Sequence, residues 1–184
     1  MIGHNRGPTM EQGTGWRKHC WTLARERLLP HLPIEVLRGR LRRAAELGLD
    51  YCSYAGIRAS TGHDVVAVLF SSNALRAHAA LPPDRLGKLG AIKGADRIGL
   101  AVRPLAAPAL LQAAGDALDA AYPAPGHLAG WSATRNTLRQ ALGRIPGDRA
   151  ILIGAHALEQ DWCAAGGLAG YLSDTRFFAA QSQA

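Results

Sequence analysis

The chain has 184 residues, 48% apolar and 19% charged, enough for one moderately large domain with its own core and too apolar for a disordered chain. Its longest apolar run, Val65 to Phe70, falls far short of the ~18 residues that span a bilayer, so no membrane partner is expected. The net charge of +7 is uneven: residues 1–60 hold ten Arg or Lys against five Asp or Glu, the remainder eleven against nine. Nucleic acid or another polyanion is the partner class this favours.

Residues 1–15 contain Gly3, Gly7, Pro8, Gly13 and Gly15 and read as a flexible arm without the apolar core of a secretory signal. A cytoplasmic protein is expected. The three cysteines, Cys20, Cys52 and Cys163, form no CxxC, which agrees with a reducing compartment. Trp16 to Leu29 reads as an amphipathic helix ending before Pro30, and a second helix, Glu35 to Leu47, follows Pro33.

The stretch LRRAAELGLDYCSYAGI, Leu41 to Ile57, has the spacing of a helix-turn-helix. Ala44 is small where two helices cross, Gly48 suits a sharp exit at positive φ, and Asp50 can cap the next helix. Leu47, Leu49, Tyr54 and Ile57 fall at buried positions, while Arg43 stands where such a motif usually has an apolar residue. The second helix, Tyr51 to Ser60, then offers Tyr51, Ser53 and Arg58 to a major groove. Arg38, Arg40, Arg42 and Arg43 on the preceding helix suit phosphate contacts. Residues 16–62 thus form a helical, helix-turn-helix-like portion, continuous with an α/β portion over 63–184.

The α/β portion begins with the strand Val65 to Phe70, closed by Ser71, Ser72 and Asn73. Asn73 to Ala80 has helical character, Pro82 and Pro83 break it, and Asp84 to Ala91 forms a short helix. Arg97 to Val102 is a second strand, closed by Arg103 and Pro104, and Pro108 to Ala121 an Ala-rich helix. Trp131 to Leu142 is a further helix, Ala150 to Gly154 a third strand, His156 to Gly166 a helix, and Tyr171 to Phe178 a short edge strand. Strands separated by helices predict a small, mostly parallel sheet of three to four strands with flanking helices.

In such sheets ligands gather at the carboxyl ends of the strands. Those ends supply Ser71, Ser72, Asn73, Arg103 and His156, a set suited to a phosphate or carboxylate with Arg103 as counter-charge. The same Ser and Asn residues also suit helix caps. A hydrolase with Ser71 or Ser72 as nucleophile, His156 as base and Asp161 orienting it is the enzymatic alternative, although GxSxG is absent. GxGxxG, GxxxxGK[ST] and HExxH are also missing, so no cofactor and no metal are expected.

The segment ILIGAHALEQDWCAAGG resembles the last motif of haloacid-dehalogenase-like phosphatases. Ala155 stands where their metal-binding acid would be, and no DxDxT-like motif precedes it, so no phosphatase activity is implied. The opening IGHNRGP and the segment LPIEVLRGRLRRAAELGLDY resemble a set of uncharacterised short bacterial proteins. That resemblance implies a cytoplasmic bacterial protein and no activity.

Together these features predict a DNA-binding or regulatory protein, with a possible homodimer matching paired half-sites. The alternatives are a small α/β enzyme or anionic-ligand-binding protein with its site at the strand ends, and an adaptor docking an acidic partner.

Overall fold

The computed structural model describes residues 32–78, 80–126 and 128–179. The expected arm over 1–15 and the helix Trp16 to Leu29 lie outside them. The chain divides into two compact units, Met1–Leu37 and Arg38–Ala184, and the sheet lies in the second.

Seven α-helices and a five-stranded, all-parallel sheet are present among the described residues. In chain order they are α1 (Ile34–Glu46), α2 (Tyr51–Thr61), β1 (Ala67–Ser71), α3 (Pro83–Ala91), β2 (Asp96–Ala101), α4 (Ala107–Ala114), β3 (Ala120–Pro123), α5 (Trp131–Leu142), β4 (Ala150–Gly154), α6 (Ala157–Gly166), β5 (Gly170–Ser173) and α7 (Asp174–Ala179). The α/β fold is therefore the expected one, and the three expected strands are parallel.

The strand order is β3-β2-β1-β4-β5. From β1 the chain winds outward through β2 and β3, then returns to pair β4 with β1 and continues through β5. Strand faces follow the period of two. Val68 and Phe70 of β1 and Ile151 and Ile153 of β4 pack on one side with Ala44, Leu47, Tyr54, Ile57, Leu89, Leu110 and Phe177. Ala67, Leu69, Ala150 and Leu152 pack on the other with Leu138, Ala141, Leu142 and Trp162. Helices α5 and α6 thus cover one face, and α1 to α4 with α7 the opposite one. From Arg38 onward the helix-turn-helix-like portion shares the core of the sheet.

The turn between α1 and α2 forms as its sequence predicts. Gly48 has φ +67°, the left-handed region where a glycine carries no Cβ penalty. Asp50 caps α2 by accepting from the Ser53 N–H at 2.8 Å.

Three expected elements differ. Asn73 to Ala80 is no helix: residues 72–76 form successive turns, with Arg76 at φ +51°. The Ala-rich helix expected through Ala121 stops at Ala114, where Gly115 at φ +53° turns the chain, and Ala120–Pro123 becomes β3. Pairing with β2 overrides the helix propensity of alanine there: the backbone hydrogen bond from Asp119 to Arg97 and the Arg97–Asp119 ion pair at 2.6 Å fix that edge. The hydrogen bond from Arg97 also holds the Asp119 carboxyl below its ordinary pKa. Finally, the expected strand Tyr171 to Phe178 is β5 followed directly by α7.

Helix α7 is held by two buried cations of α3. The Arg85 guanidinium lies 3.6 Å from the Phe178 ring centroid, and the Lys88 ammonium donates to the Phe177 carbonyl. Burial pushes both side chains below their usual pKa. This anchoring sets the start of α7 beside the carboxyl ends of the strands.

Candidate functional site

Adjacent strands β1 and β4 send their following chain to opposite faces of the sheet, which opens a crevice above their carboxyl ends. A cleft of about 690 Å³ occupies this switch point. Ser72 and Asn73 from the end of β1, Arg103 from the end of β2, and Ala155 and His156 from the end of β4 line it. Four of the five expected ligand residues therefore converge, although they come from positions up to 84 residues apart in the sequence. The fifth, Ser71, is fully buried beneath.

The floor is organised by a residue the sequence did not single out. Glu159 of α6 is 2% exposed and receives the Ser71 hydroxyl at 2.9 Å, the Asn73 amide at 2.9 Å and the Ala155 N–H at 2.6 Å. A longer contact from the His156 N–H adds to these at 3.4 Å. The buried carboxylate thus ties the end of β1 to the end of β4, with its lone pairs satisfied by neutral donors. Gly154 makes this possible, since a Cβ there would lie 2.7 Å from Glu159 Oε2 and 2.6 Å from the Tyr171 ring. The available sequence signal was Glu159 three residues after His156, the spacing of a capping box.

Ser72 ties the next pair of strands. Its Oγ accepts the Val102 N–H at 3.0 Å, a bond that does not use the hydroxyl proton. Two further residues missed in the sequence, Arg76 and Asp174, join the cleft wall with His78 and Thr175. Asp174 is 8% exposed and lies 3.9 Å from Arg76 Nη2 and 3.7 Å from Arg85 Nη2. Nearby, burial raises the Tyr171 phenol above its ordinary pKa, assisted by the charges of Glu159 and Asp174.

This geometry does not assemble the hydrolase triad. Ser71 is bonded to Glu159, Ser72 to Val102, and Asp161 lines a separate depression with Trp131 and Leu158. No cluster of metal-ligating side chains occurs among the described residues, and no described helix is long and apolar enough to cross a membrane.

The proposed groove-reading residues are distributed differently. Arg43 donates to Asp64 at 3.0 Å, Glu46 at 3.2 Å and the carbonyls of Lys93, Val65 and Gly94 at 3.0, 2.9 and 2.8 Å. It binds the α1 end to two loops, which explains an arginine at a place usually apolar. Ser53 is buried, and its N–H and hydroxyl both bond Asp50. Arg58 is half-buried and lies 3.7 Å from Asp64, and Tyr51 is half-buried. The exposed residues of α2 are Cys52, Gly56, Ala59 and Ser60, all uncharged. On α1, Arg38 and Arg42 are exposed and Arg40 is half-buried. No known family, curated protein or solved structure matches the chain.

Proposed function

We propose that the chain binds a small anionic ligand in the cleft at the carboxyl ends of β1, β2 and β4. The observation that carries this reading is the delivery of Ser72, Arg103 and His156, each from a different strand end, to one cleft. Arg103 supplies a charge with several fixed donors, Ser72 retains a hydroxyl proton to give, and the imidazoles of His78 and His156 add donors at the rim. Beneath them, Glu159 holds the backbone at Ala155 and His156, and Ser72 is held by the Val102 N–H.

Titration with inorganic phosphate, followed by amide chemical shifts, tests the proposal. Shifts are expected at Ser72, Asn73 and His156, and Arg103→Ala is expected to weaken binding about tenfold, the loss of one charge-assisted contact. Absence of binding at millimolar phosphate, or binding indifferent to Arg103, overturns it.

The exposed Arg38 and Arg42 of α1 favour a second reading, in which this face contacts the phosphate backbone of duplex DNA. Binding that weakens steeply with salt and loses about one unit of salt slope in Arg42→Ala is then expected. No association at low salt removes that reading.

A further inference from the structure

A second cleft, of about 1230 Å³, lies along the same edge of the sheet. The two share the loop from Val102 to Leu105, so Arg103 stands in the wall of both. Their chemistry differs. The first carries Arg76, Arg103, His78 and His156 with one carboxylate, Asp174. The second is bounded mainly by carbon: Ala101, Ala107, Tyr122, Pro123, Ala124 and Pro125. Tyr122 and Pro123 come from β3, paired in register with Leu100 and Ala101 of β2, so rigid strand ends support this trough.

Small-molecule sites combine a mostly apolar lining with a few placed polar groups. Here those two parts are adjacent and meet at one arginine. A bare inorganic anion would leave the trough unused.

We infer that the ligand is an organic phosphate monoester, with the phosphate at Arg103 and Ser72 and an aromatic or branched aliphatic body along the β2–β3 trough. The inference rests on the anion-binding function proposed above and names its ligand class. Arg76 faces Asp174 at 3.9 Å across the same wall, so Arg103 is the counter-charge. With the Ser72 hydroxyl and two imidazoles beside it, the donors suit three terminal oxygens better than the two of a carboxylate.

The test is a calorimetric titration of the full chain with inorganic phosphate, phenyl phosphate, glycerol phosphate and benzoate. Phenyl phosphate is expected to bind at least tenfold more tightly than each of the others. Tyr122→Ala is expected to bring its affinity close to that of inorganic phosphate while leaving the latter unchanged. Gln140→Trp, at an exposed α5 position on the trough margin, is a second variant that fills the trough without touching the core. It is expected to exclude phenyl phosphate and spare inorganic phosphate. Equal binding of the three phosphates, or loss of both ligands together in the two variants, overturns the apolar extension while the anion site stands. Tighter binding of benzoate than of phenyl phosphate overturns the phosphate assignment. Failure of all four to bind overturns the anion site itself and this inference with it.

Discussion

Glu159→Ala is expected to lower the free energy of unfolding by on the order of 3 kcal/mol, because it empties a buried side-chain position and removes the acceptor of three donors at once. The buried Ser71 hydroxyl and the half-buried Asn73 amide and Ala155 N–H all lose their acceptor. Glu159→Gln keeps the shape but turns one acceptor oxygen into a donor facing other donors, so a loss of about 1–2 kcal/mol is expected. Urea unfolding of the two variants checks this. If both remain within ~0.5 kcal/mol of the parent, a range typical of surface substitutions, Glu159 does not organise the floor.

Arg43→Ala is expected to cost about 2–3 kcal/mol, and Arg42→Ala almost nothing. The adjacent arginines have opposite surroundings: Arg42 is exposed on α1, whereas Arg43 has a side chain 18% exposed and satisfies three backbone carbonyls and two carboxylates. Removing the guanidinium leaves Asp64 with fewer partners and frees the loop at Gly94 from α1. Thermal unfolding at fixed pH distinguishes the pair, and equal small shifts would show that Arg43 is only a surface cation.

Much of the fold was legible because its signals are local. Ala150 to Gly154 reads as a strand from four consecutive apolar residues closed by a glycine and is one with the same bounds. Trp131 to Leu142 and the Gly48 turn were equally readable. What escaped is decided by partners distant in sequence. Ala120 to Pro123 has the composition of a helix end, and only the neighbouring β2 makes it a strand. Tyr171 to Phe178 reads in sequence as one short strand, whereas the chain turns helical from Asp174, where Arg85 and Lys88 hold the Phe178 ring and the Phe177 carbonyl.

The candidate site divides in the same way. Ser72, Asn73, Arg103 and His156 follow apolar runs, so topology alone brought them to one edge. Glu159 looks in sequence like a surface acid on an amphipathic helix, and its burial depends on Gly154 admitting it. Arg43 was visible as an anomaly within the turn motif, but its reason, the carbonyls of Val65, Lys93 and Gly94, lies in loops beyond that motif.

The contact between Ser71 and Glu159 bridges 88 positions of the chain, and this has a kinetic meaning. Pairing of β1 with β2 closes a short loop, whereas pairing with β4 must wait until a much longer segment has been gathered. Closure of such a loop carries an entropic cost before any contact rewards it. A chain that has completed only its β1–β2–β3 half holds Ser72 and Arg103 but neither His156 nor the carboxylate beneath them. If the cleft binds the proposed anion, binding then requires the whole sheet, because a chain lacking the β4 half lacks part of the cleft wall.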